Sequence, residues 1–169
     1  YPLMQLIIRD LIYRSPLYIQ ANSWFVNTFN SGKSVIQLND KDMGVILAKG
    51  NLPNIAQQIG FAISYNISAD VIFRIDIKDA KARLIMTIQN YDSVNSGGVA
   101  GALSGNTSQS TSSHKPCNVY PFVDKYMGVS KKAGAKAFCA CCLYMIAMKN
   151  QLQKAINSGI IGIDVNDNW

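Results

Sequence analysis

From Phe61 to Gln89 the chain alternates apolar and polar side chains with little interruption, and this pattern narrows its folds more than any other feature. Phe61, Ile63, Tyr65 and Ile67 alternate with Ala62, Ser64, Asn66 and Ser68. The same parity continues through Val71, Phe73, Ile75 and Ile77, opposite Ile72, Arg74, Asp76 and Lys78. After the turn Lys78-Asp79-Ala80-Lys81, Ala82, Leu84, Met86 and Ile88 alternate with Arg83, Ile85, Thr87 and Gln89. A period of two places one set on each face of a strand, so these segments predict an antiparallel sheet with one apolar and one mixed face. One face needs a cover. The other stays at least partly wet.

The cover is predicted from two helices. Ser15-Pro16 reads as an N-cap followed by a proline at the first helical position. Leu17, Ala21, Trp24, Phe25 and Thr28 then recur at helical spacing, and Asn30-Ser31-Gly32 ends the run, giving a helix over Ser15–Asn30. The second helix is expected over Ser130–Ser158, from a Ser cap to a stop at Gly159. Leu3 to Arg9 is an apolar run of strand length. Val35 to Leu38 and Val45 to Ala48 flank the polar turn Asn39 to Gly44 as a hairpin, and a loop containing Pro53 follows. Residues 1–169 thus form one α+β domain, long enough to bury roughly 70% of its extended-chain surface. Residues 93–128 stand apart as a Gly/Ser-rich insertion, expected to be mobile, ending in an aromatic segment with Tyr120, Phe122 and Tyr126 that docks back.

Charge is confined in the same way. The formal charge is +6, and the 30 residues from Lys125 to Lys154 hold six lysines and no acid, while the rest of the chain balances. Along the last helix, Phe138, Cys142, Met145, Leu152 and Ile156 share an inward arc, with Lys132, Lys136 and Lys154 nearly opposite. Cys139, Leu143 and Ile146 fall on the flank or lysine side, where a solvated helix should be polar. Lys132, Lys136, Cys139, Leu143 and Ile146 are therefore the candidate interaction surface. The docking aromatic segment is the first candidate to cover it; a protein partner, a second copy of the chain and peripheral contact with an anionic membrane are the alternatives. No run of about 18 apolar residues exists to span a bilayer.

The residues argue against most catalytic chemistry. All ten acids are Asp and none is Glu, which removes any Glu-dependent acid–base pair or metal helix. His114 is the single histidine and lies in a Ser-rich stretch unsuited to orienting a base. Gly32-Lys33-Ser34 mimics the end of a phosphate-binding loop, but position 27 is Asn and the helix precedes instead of following. Cys139, Cys141 and Cys142 read first as small buried hydrophobes. The alternative is a thiol site of Cys117, Cys139 and Cys142, with a bridge from Cys117 to the helix in an oxidising compartment. No cofactor or metal is called for.

Several local runs carry a family resemblance. Ser23-Trp24-Phe25-Val26-Asn27-Thr28-Phe29, Val35 through Ile46, Ala48-Lys49-Gly50, and Ile75 through Arg83 together resemble a bacterial domain-of-unknown-function family. The family is described as having a fold like the TATA-binding protein (TBP) and is common in envelope-associated proteins of Gram-negative gut bacteria. The resemblance implies a β-α-β4-α order with both helices packed on one face of the antiparallel sheet. It implies a periplasmic, outer-membrane-associated or secreted location, consistent with a start at Tyr1-Pro2 from which a signal peptide has been removed. It brings no catalytic residues. The expectation is a non-enzymatic binding or assembly module of the envelope with a protein partner. Nucleic-acid binding, by fold analogy, and thiol or metal redox chemistry on the helix cysteines are the rival readings. The mixed sheet face is only mildly basic and broken by Asp76, which counts against nucleic acid.

Overall fold

The computed structural model describes residues 3–9, 14–29, 34–78, 81–105, 108–114 and 128–161. In chain order these form β1 (Leu3–Arg9), α1 (Arg14–Phe29), β2 (Ser34–Asp40), β3 (Val45–Gln58), β4 (Ser64–Lys78), β5 (Lys81–Ser96), α2 (Gly98–Leu103), β6 (Gln109–His114) and α3 (Gly128–Ile161). One antiparallel sheet runs β1-β5-β4-β3-β2. β1 pairs with the first half of β5 and β6 with its second half, so the two short strands lie end to end along one edge.

Alternation does what it predicts from Tyr65 onward, whereas Phe61 precedes β4 and is exposed. Ile67, Ala69, Val71, Phe73, Ile75 and Ile77 of β4 are buried, as are Ala82, Leu84, Met86 and Ile88 of β5. α1 covers this face with Leu17, Tyr18, Ala21, Trp24 and Phe25, and α3 with Ala133, Ala137, Cys141, Met145, Met148, Leu152 and Ile156. The opposite face of the sheet carries no helix among the described residues. The α+β, β-α-β4-α order is therefore present, with α2 and β6 added before the last helix.

Three further expectations change. Pro53 lies inside β3, not in a loop, because the pairing with β4 shifts register between Leu52 and Ala56. A bulge is where a strand tolerates a residue without an N–H to donate. Asn54 takes a positive φ there, donates its N–H to Ser68 Oγ and accepts from Asn66. β5 holds a second irregularity, since Asp70 pairs with Asn90 and Val71 with Ile88. Gln89 is the extra residue, so the inward parity moves to Tyr91 and Ser93. The bulge ends the simple alternation.

The Gly/Ser-rich stretch is ordered in part. Gly98 opens α2 with φ +59, and a Cβ there would lie 2.4 Å from the Gly60 carbonyl oxygen, so only glycine fits this approach. The α2 amides of Val99 and Ala100 donate to Gly60 and Phe61. β6 is then held to β5 by small polar side chains: Ser113 Oγ donates to Asp92 at 2.6 Å, and Ser93 and Ser112 hydroxyls meet at 2.7 Å. The aromatic segment 116–126 and Cys117 lie outside the described residues. Finally, α3 begins two residues before Ser130 and continues through Gly159 to Ile161, about 50 Å in all. A glycine costs a helix only about 1 kcal/mol.

Candidate functional site

Two surfaces and one buried cluster carry the side chains that could act. On the open sheet face, strand register sets residues in rows. Val45, Asp76 and Arg83 form one row across β3, β4 and β5; Leu47, Arg74 and Ile85 form the next; Lys49, Ile72 and Thr87 the third. Asp76 sits between two guanidinium groups. Arg74 Nε donates to Asp76 Oδ1 at 2.5 Å, and Arg83 donates to Oδ2 through Nε at 3.0 Å and through Nη2 at 2.5 Å. Both arginines are nearly half exposed, while Asp76 is largely covered. Beside this triad a solvent-open cleft of about 400 Å³ is bounded by Met43, Val45, Lys78 and Lys81. Further along the same face Asn51 donates to Asp70 at 2.7 Å and Asn90 to Asp92 at 2.7 Å. Arg74, Asp76, Lys78, Arg83, Thr87, Ile72 and Ile85 thus occupy the face that alternation assigns them. Gln89 stands at the bulge.

The second surface is the outer side of α3. Lys132, Lys136 and Cys139 are exposed there, with Leu143 68% and Ile146 49% exposed. Lys136 Nζ reaches the Gln57 carbonyl oxygen at 3.4 Å, which ties the lysine to the end of β3.

The cysteines separate by burial in an order the helical arc does not predict. Cys141 is the core residue, Cys142 is half-buried on the flank and Cys139 is exposed. The buried stripe is centred on Ala133, Ala137, Cys141 and Met145. Small residues at 133, 134 and 137 let the helix approach the sheet closely, and an arc drawn through the large side chains misses them. Burial pushes the Cys141 thiol up to about 12, with the adjacent Tyr91 hydroxyl acting weakly the other way. Burial likewise raises the Tyr91 hydroxyl and the Cys142 thiol. A thiolate is the reactive form, so Cys141 is inert at neutral pH. Of the candidate thiol site, Cys139 is exposed and Cys142 half-buried one turn apart on α3, and Cys117 lies outside the described residues. Among the described residues no group of His, Cys and Asp could hold a metal ion. Iodoacetamide at about pH 8 is expected to label Cys139 first, Cys142 more slowly and Cys141 only after unfolding. Peptide mapping reads the order, and early labelling of Cys141 would contradict the burial.

Residues 12–92 match the model of a family described as a domain of unknown function (DUF4468) with TBP-like fold. No curated protein matches the chain. Two solved structures are similar to it in fold. A TBP-like protein from Parabacteroides distasonis shares 10% identity at a TM-score of 0.53, covering 89% of this chain and 92% of that one. A DUF4468 family protein from Bacteroides ovatus shares 9% identity at a TM-score of 0.56, covering 91% and 85%. At such identities the likeness concerns the fold alone. The DUF4468 match takes in α1 and β2–β4 whole and most of β5, including the Arg74–Asp76–Arg83 triad, and stops short of α3.

Proposed function

We propose that the chain is a non-enzymatic binding or assembly module of the cell envelope, and that it engages a protein partner through the outer face of α3. The observation that carries this reading is the exposure of Leu143 and Ile146 on a helix whose opposite stripe is fully buried. Exposed apolar side chains beside lysines suit a contact that is buried on association. No acid occurs anywhere in α3, so the matching partner surface is apolar with an acidic rim. The described side chains also favour binding over turnover. Asp76 is occupied by two arginines, and burial raises the Cys141 and Cys142 thiols. The envelope location, whether periplasmic, outer-membrane-associated or secreted, rests on the family resemblance. Nucleic acid is the weaker reading, since Asp70, Asp76 and Asp92 interrupt the open sheet face along its length.

A photo-crosslinking residue placed at position 143 and expressed in the native host tests the proposal, with position 19 on α1 as an exposed control. A discrete adduct from 143, weakened by Lys136→Glu and missing from 19, is the expected result. An adduct of twice the chain's mass supports assembly through this face. Identical adducts from both positions, or none from 143, would overturn the assignment.

A further inference from the structure

The open sheet face holds a second feature, independent of α3 and on the other side of the sheet. Where β4 turns into β5, Lys78 and Lys81 are direct cross-strand partners. Arg9 takes the next position in that row on β1. One row inward lie Asp76 and Arg83, with Arg74 one row further along β4. The described residues lining the cleft therefore bring four cations, Arg74, Lys78, Lys81 and Arg83, to a single carboxylate. Like charges set directly opposite each other weaken a strand pair. Neither Lys78 nor Lys81 has an ion-pair partner among the described residues. Packing does not require lysine at either position, because both side chains are exposed at the sheet end.

Asp76 has a different part. It takes Arg74 through Nε and Arg83 through Nε and Nη2, which anchors both side chains and orients the Arg83 guanidinium. The other guanidinium nitrogens keep N–H groups to donate to a further acceptor. One wall of the cleft is apolar, formed by Met43 and Val45, and Met43 is 61% exposed. The turn that carries Met43 is held by its own amide, which donates to Asp40 Oδ1 at 2.8 Å.

The geometry points to a binding site for an amphiphile with one phosphate-ester head. The anionic oxygens sit between Lys78, Lys81 and the outer edges of Arg74 and Arg83, and the hydrocarbon lies against Met43 and Val45. The same head chemistry is offered by a membrane phospholipid and by a free phosphate monoester.

Three probes separate these sources: inorganic phosphate, decyl phosphate, and vesicles of phosphatidylcholine with or without phosphatidylglycerol. Binding of the full chain is followed by calorimetry for the soluble probes and by vesicle flotation for the lipids. Decyl phosphate is expected to bind more tightly than inorganic phosphate. Lys78→Gln with Lys81→Gln is expected to weaken it about tenfold, the loss of roughly one charge-assisted hydrogen bond. Lys149→Gln with Lys154→Gln, the same charge change on α3, should leave it unaltered. Flotation that requires phosphatidylglycerol and fails in the first variant assigns the head to a lipid. Soluble binding without flotation assigns it to a free ester. Urea midpoints keep folding out of the comparison. Equal losses in both variants, or no binding of decyl phosphate and vesicles by the parent chain, would overturn the site.

Discussion

Phe73→Ala is expected to destabilise the fold by about 3–5 kcal/mol, the range for removing a buried aromatic side chain. Phe73 is fully buried midway along β4, with Ala48 and Met86 as its cross-strand partners. The Tyr144 ring of α3 lies over it at a centroid distance of 6.0 Å. Its side chain therefore joins the sheet to the long helix. Ala48 is too short to fill the space left behind, and the two long flanking strands resist collapse, so the cavity term is retained. Against a total of about 5–15 kcal/mol, that loss approaches the threshold for folding at all. For a chain of this length it corresponds to a melting temperature lower by about 10 °C. Ile72→Ala, one residue away on the open face, is the control and should cost less than half as much. Urea midpoints of the two variants decide the matter. Equal destabilisation would mean that the covered and open faces have been assigned the wrong way round.

That test bears on how the fold can be read from the chain. Alternation from Tyr65 to Ile88 assigns buried and open faces correctly, because a strand buried on one side has no other way to satisfy both solvents. Helix α1 is legible for the same reason, through Leu17, Ala21, Trp24 and Phe25. The misreadings occur where local chemistry and tertiary context diverge. Pro53 signals a loop until the partner strand supplies a bulge, and β6 is held by serine hydroxyls instead of apolar side chains. The inward arc of α3 is right at Met145, Leu152 and Ile156 but is centred too near Phe138 and Cys142, because Ala133, Ala137 and Cys141 contribute closeness of approach more than hydrophobic area.

The candidate surfaces differ in the same respect. Leu143 and Ile146 stand out within a single helix, since one period suffices to place them among lysines. The cationic cleft is non-local. Lys78 and Lys81 read only as the ends of a turn until pairing sets them face to face, and Arg74 and Arg83 converge on Asp76 only through the β4–β5 register. The turn 41–44 then supplies Met43 from a different hairpin. No spacing rule within one segment contains that arrangement.

Stability is expected to fall steeply at alkaline pH, and the cause lies beneath α3. Burial lifts the Cys141 thiol from an ordinary value near 9 to about 12, and holds the Tyr91 hydroxyl above its ordinary value of 10. Burial is the main cause for both groups; the neighbouring thiol adds to the rise of Tyr91, while Tyr91 acts weakly to lower Cys141. Below pH 9 both residues are neutral whether the chain is folded or not, and their contribution does not vary. Above it the unfolded thiol loses its proton while the folded one keeps it. The unfolded state then binds fewer protons, and stability declines by about 1.4 kcal/mol per pH unit until the folded thiol also ionises. At about pH 10.5 the thiol alone accounts for about 2 kcal/mol, and Tyr91 adds loss of the same sign once the pH passes 10. Urea unfolding under reducing conditions at about pH 8 and about pH 10.5 measures the decline. Cys141→Val keeps the volume and removes the titration. Any change of packing shifts the baseline at both pH values alike, and the difference between the two pH values cancels that common term. The decline should therefore shrink by about 2 kcal/mol in the variant, leaving the part due to Tyr91. An unchanged decline would mean that the Cys141 thiol is solvated in the folded chain and that α3 does not seal this end of the core.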